Sequence, residues 1–204
     1  MALTNKTIKP VPYVGTRKIC LYRVNTDNTE TYEADGDMIE LVGGAVSVSY
    51  SISASETAFY ADNSKQISEF SYSPTGALGI AGDNEELDVL LLGKKKNGGA
   101  VLENMGSTPE CGCFYILDMG KNQWVVRQIL RFTAAKDETT VSTKGESTTF
   151  TNPGFTVSPL LSNYFQSYTR DFYSTDEALK DMTAEQVIEA LKANPAATFP
   201  AVSV

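Results

Sequence analysis

Histidine is absent from this chain of 204 residues. That absence removes Ser-His-Asp and Cys-His nucleophilic catalysis, along with most zinc and iron sites. Cysteine is scarce: Cys20, Cys111 and Cys113 form an odd set, poorly suited to a disulfide framework. Cys111 and Cys113 make a C-x-C pair without a third or fourth soft ligand, so they read as small core or edge residues rather than a metal site. Basic residues are outnumbered, 17 Lys and Arg against 25 Asp and Glu, for a net charge of -8. Sequence-independent binding to DNA phosphates needs clustered cations and is therefore disfavoured. The same charge suits a surface that stays close to nucleic acid without adhering to it. No run approaches about 18 apolar residues, so no membrane insertion is expected. The opening MALTNKTIKP has no apolar segment of a secretion signal. Carboxylates are scattered with no pair set up for acid-base chemistry. The expectation is no enzyme, no catalytic residue, no cofactor and no metal.

What the sequence does have is alternation. In residues 43–74, Val46, Val48, Tyr50 and Ile52 fall on one face and Ala45, Ser47, Ser49, Ser51 and Ser53 on the other. Period two with β-branched and aromatic residues on one side marks a half-buried strand. Phe70 and Tyr72 repeat the pattern, with Glu69, Ser71 and Ser73 opposite. Residues 53–64 between them exceed a tight turn. They read as a long loop carrying Glu56, Phe59, Tyr60 and Asp62, and two aromatics in a loop call for a packing partner.

The rest of the chain is read around that hairpin. Residues 1–16, with Pro10 and Pro12, form an extended N-terminal arm. Residues 17–24 are apolar on both faces, as in a buried strand; residues 25–37 are turn-like, and 38–42 make a short strand. Asp27, Glu30, Glu33, Asp35, Asp37, Glu40, Glu56 and Asp62 follow one another without a Lys or Arg between them. They lack calcium-loop spacing and read as a solvated acidic stretch. Gly76, Gly79 and Gly82 precede a helix capped by Asp83 or Asn84 and ending near Gly93. Asp83, Glu85 and Glu86 in its first turn would repel a phosphate, and Lys94, Lys95 and Lys96 suit its negative end. Residues 111–132 read as a second hairpin containing Trp124, the single tryptophan and a core anchor. A polar loop over 134–147 and a closing strand over 148–157 follow. Beyond an irregular aromatic run, a short helix over 175–182 precedes a clear one over 183–194. Thr183 and Gln186 supply its capping box, and Ala184, Val187, Ile188 and Leu191 its apolar stripe. Residues 195–204 read as a loose tail.

Three stretches resemble the major tail proteins, or tail tube proteins, of long-tailed bacteriophages. They are GGAVSVSYSISASETAFYADN, ISEFSYSPTGALGIAGDNEELDVLLLG, and CFYILDMGKNQWVVRQILRF with the charged loop and closing strand that follow. The resemblance implies a mainly β subunit, an antiparallel β-sandwich or barrel with one flanking helix over 17–160. The arm 1–16 precedes it, and the C-terminal extension 161–204 with its helix 183–194 lies outside the resemblance. It further implies stacked hexameric rings whose shared β-barrel conducts the viral genome into the host. Ser47, Ser49, Ser51, Glu69, Ser71 and Ser73 would face the lumen, and Glu56, Phe59, Tyr60 and Asp62 would stack ring on ring. Expected partners are further copies of itself, a tape measure protein, a tail terminator and a sheath, with DNA passing without adhesion. The place of action would be the virion tail, after synthesis in the host bacterial cytoplasm. Two other readings stand beside it: the tube of a contractile injection system, and a ligand- or carbohydrate-binding β-sandwich.

Overall fold

Three central strands are apolar on both faces, and that double alternation decides the architecture. The computed structural model describes residues 10–41, 45–61, 64–103, 106–138 and 153–199. Strand β1 spans Tyr13–Asp27, β7 Cys111–Met119 and β8 Gln123–Lys136. The other elements are β2 (Tyr32–Leu41), β3 (Ala45–Ala61), β4 (Ser64–Ile80), α1 (Glu85–Leu92), β5 (Lys95–Asn97), β6 (Ala100–Leu102), β9 (Gly154–Pro159), β10 (Thr169–Tyr173) and α2 (Ala184–Ala193). One antiparallel sheet runs β2-β1-β7-β8-β9-β4-β3, with β10 added to β8, and β5-β6 is a separate small hairpin. The fold is mainly β and antiparallel with flanking helices. Its barrel is not closed, because β2 and β3 remain edges among the described residues.

Ile19, Leu21, Cys113, Tyr115 and Ile129 point to one side of the central strands. There they meet Leu78, Ile80, Phe155, Val157 and the Leu87, Leu90 and Leu91 face of α1. Cys20, Tyr22, Phe114, Ile116, Val126 and Leu130 point to the other side, where α2 covers them with Ala184, Val187, Ile188 and Leu191. All four of those helix residues are buried, and each of the three larger ones contributes about 2 kcal/mol by transfer from water. Gly112 is required here: a Cβ would lie 2.4 Å from the Tyr22 ring. The two layers meet around a buried polar chain. Gln128 donates through Nε2 to the Tyr22 hydroxyl at 2.8 Å and to the Pro195 carbonyl at 2.9 Å. Tyr32 donates through its hydroxyl to the Leu130 carbonyl.

Both helices form where capping chemistry places them. Asn84 accepts from the Glu86 N–H at 2.8 Å, and Gly93, at φ 69°, closes α1. Thr183 and Gln186 form the reciprocal capping box of α2. The lysines after α1 do something other than neutralise its negative end. Lys94 pairs with Asp88 and Glu103, and Lys96, carried back by the β5-β6 hairpin, pairs with Glu85 and Glu86 in the first turn.

Several expectations are corrected. β1 includes Tyr13 to Thr16, which pair with β7 rather than extending as an arm. β2 starts at Tyr32, so the turn-like acidic stretch shrinks to residues 28–31. Gly76 and Gly79 lie inside β4, leaving Gly82 at the turn. Residues 134–136 belong to β8, while 139–152, in the expected polar loop and closing strand, lie outside the described residues. No helix forms over 175–182, where the backbone makes successive turns. Part of the irregular run is β10, which pairs with β8 along its length and brings the 161–204 extension into the main sheet. Residues 195–199 are not loose. Arg170 donates to the Ala197 carbonyl at 2.6 Å, and Phe199 meets Phe172 edge-on at 5.3 Å.

Candidate assembly interface

The β3-β4 hairpin is longer than its own sheet. β9 pairs with β4 only between Gly76 and Gly79, so beyond that point the ribbon has no further strand beside it among the described residues. At the rise of an extended strand, the overhanging part is roughly 35 Å long. The expected loop over 53–64 is a correction: β3 continues as strand to Ala61, with Glu56 opposite Phe70, Phe59 opposite Ile67 and Tyr60 opposite Lys65. Nothing between Ser53 and Ala61 is Gly or Pro. Ala54 and Ala58 gave too weak an apolar signal to reveal the strand, though Ser55 and Thr57 keep the period. Asp62 lies outside the described residues. Three of the four residues expected in a stacking loop, Glu56, Phe59 and Tyr60, therefore sit in strand backbone.

The register brings the serines together. Opposed residues in an antiparallel pair project to the same side. Ser47 opposes Gly79, Ser49 Ala77, Ser51 Thr75, Ser53 Ser73, Ser55 Ser71 and Thr57 Glu69. No bulge interrupts this run, the register shifts falling only between Ala45 and Ser47 and between Phe59 and Tyr60. All six expected channel residues thus share one face, and all are exposed. Ser55, Thr57 and Thr75 extend the face and were missed, although their period-two spacing was readable. Some hydroxyls are held along the ribbon: Ser51 and Thr75 hydrogen-bond at 3.1 Å, and Ser53 donates to the Ser73 carbonyl at 3.1 Å. Short side chains, of which only Glu69 is charged, make this a smooth and weakly negative surface.

The opposite face changes character along its length. Near the root, Leu78 is buried and Val48 and Tyr50 pack on the first core. The Arg127 guanidinium lies 5.9 Å from the Tyr50 ring centroid and is held by Asp171. That two-point hydrogen bond keeps the Arg127 pKa above its usual value, against the opposing effect of burial. Towards the tip the apolar row continues, and nothing among the described residues covers it. Ile52 is 47% exposed, Phe70 57% and Tyr72 59%. A two-stranded ribbon with a bare apolar row and free backbone edges is marginal in isolation and prone to pair with another chain.

The three thiols are buried, and burial pushes each up to about 12. Among the described residues no cluster of His, Cys, Asp and Glu could hold a metal ion. Among the described residues no helix is long and apolar enough to cross a membrane. Compared with models of known protein families and with curated proteins, the sequence matches none.

Proposed function

We propose that this chain is the tube-forming subunit of a long bacteriophage tail, assembling as stacked hexameric rings around a channel for DNA. The observation that carries the reading is the continuous Ser/Thr ladder on one side of a ribbon that overhangs its own sheet. In a cyclic ring, β3 of every copy points the same way along the axis. The free distal edge of β4 is then antiparallel to β3 of the next copy and can hydrogen-bond to it. Repetition round the ring closes a barrel and removes both edges, which a lone subunit leaves open. The ladder becomes the lining of that barrel. Hydroxyls leave the bore wide, and Glu69, repeated in every subunit, repels phosphate so that DNA slides rather than adheres. The resemblance of three sequence stretches to tail tube proteins supplies the ring and the cargo; the ribbon supplies a reason for them. Tape measure, terminator and sheath proteins are the partners this reading expects.

The test is assembly of the purified full chain, followed by size-exclusion chromatography and negative-stain electron microscopy. Six-fold rings or tubes support the proposal. A protein that stays monomeric at every concentration and salt tested overturns it, and binding of a monomer to a glycan array would favour the ligand-binding sandwich instead.

A further inference from the structure

A second group of exposed apolar side chains lies on β1 and β10 rather than on the hairpin. Tyr13 and Val14, at the start of β1, and Tyr173, at the end of β10, are all exposed, Val14 at 74%. The pairing of Tyr13 with Met119, of Met119 with Gln123, and of Tyr173 with Val125 places them at one end of the sheet. Arg127 and Asp171 lie one alternate position further in, already bonded to each other. Tyrosines around an arginine are the composition of an interface centre rather than of an ordinary solvated surface. Lys121, in the turn joining β7 to β8, is exposed beside this end and makes no ion pair among the described residues.

The hairpin has the opposite charge. Residues 45–80 before α1 contain Glu56, Asp62 and Glu69 against Lys65, a net charge of -2. Hairpin against hairpin across a two-fold axis would place like charges together and would close as a dimer. Hairpin against the Tyr13 end sets the acidic ribbon against Lys121 and joins two different surfaces, the kind of contact that builds rings and stacks. Resting on the tube reading, we infer that the row Ile52, Phe70 and Tyr72 of one copy docks on the Tyr13, Val14 and Tyr173 patch of a second copy, with Lys121 facing the acidic ribbon.

Single-cysteine reporters test this on the full chain, because the native thiols are buried and held protonated. Tyr72→Cys and Tyr173→Cys proteins are mixed before assembly, treated with a short bis-maleimide and run on a denaturing gel. Val14→Cys serves as a second reporter on the same patch. The expected result is a covalent dimer from the mixtures and little from either variant alone, with the yield falling severalfold at low salt when Lys121→Glu is added. Rings or tubes that form without a mixed cross-link overturn the docking while leaving the tube reading in place. A dimer from Tyr72→Cys alone, in equal yield, also overturns it in favour of two-fold hairpin pairing. Monomers throughout overturn both.

Discussion

Arg127 and Asp171 face each other across the β8-β10 ladder and meet at two points, Nε to Oδ1 at 2.8 Å and Nη2 to Oδ2 at 2.7 Å. Both side chains are about one-fifth exposed, 21% each, so the pair is only partly screened by water. Asp171→Asn leaves a half-buried guanidinium without its anion. The expected cost is about 2 kcal/mol of stability, as for loss of a hydrogen-bonded charged partner. A urea unfolding curve checks this; an unchanged midpoint would show that β10 is not fastened by the pair.

Helix α2 is part of the core and not an appendage. Ile188→Ala and Leu191→Ala should each destabilise the protein by about 3 kcal/mol, within the usual range for large-to-small changes in a core. Truncation after Leu160 removes β10, α2 and the packed residues 195–199 together. It should yield insoluble or molten protein, since the second core would lose its cover. A soluble truncation product with sharp unfolding would contradict the two-layer description.

The acid limb of stability should depend on Glu185. Its hydrogen bond from Arg17 holds its pKa below the ordinary glutamate value of 4.5. A depressed folded-state pKa gives stability that is present above the unfolded value and is lost as pH falls through the folded one. Both partners are substantially solvated, so the effect is small. Unfolding midpoints between pH 7 and pH 3 should fall less steeply in Glu185→Gln than in the parent. Parallel curves would remove the Arg17 contact from the docking of α2.

Thiol titration gives a direct check of burial. Cys20, Cys111 and Cys113 are buried, and burial pushes their pKa values up to about 12. Native protein at pH 8 should therefore react with an aromatic disulfide reagent only as fast as it unfolds. All three thiols should react at once in guanidinium chloride. Fast reaction of even one thiol in the native state would mean that the sheet opens locally near it.

Glu69 is the only charge on the Ser/Thr ladder opposite the core. Glu69→Lys, on an exposed strand position, should leave the unfolding free energy within about 0.5 kcal/mol of the parent's. On the tube reading it should still assemble, but DNA ejection from virions carrying it should slow, the more so at low salt. Ejection kinetics equal to the parent's would remove Glu69 from the channel.

How much of this was legible in advance can be followed residue by residue. Ser47 to Ser53 and Glu69 to Ser73 declared a shared face through period two alone, and the hairpin register bears it out. Asn84, Gly93, Thr183 and Gln186 marked the helix ends because capping is satisfied within a turn of chain. The strand through Ala54 and Ala58 was not legible. Small side chains carry little hydrophobic signal, and it is the ladder with Ser68 and Tyr72 that holds them extended.

The sequence by itself determined the elements whose causes are local: alternation, caps, and the absence of any histidine chemistry. Tertiary structure decided the rest. It turned the aromatic run at 169–173 into a strand, because β8 offers an edge there and Asp171 finds Arg127, 44 residues away. It buried Gln128 fully and paired it with Tyr22 and Pro195, a polar core residue that no period predicts. It also left Ile52, Phe70 and Tyr72 bare. Alternation says which side a residue faces, but only the packing of the whole chain determines whether anything lies there to cover it.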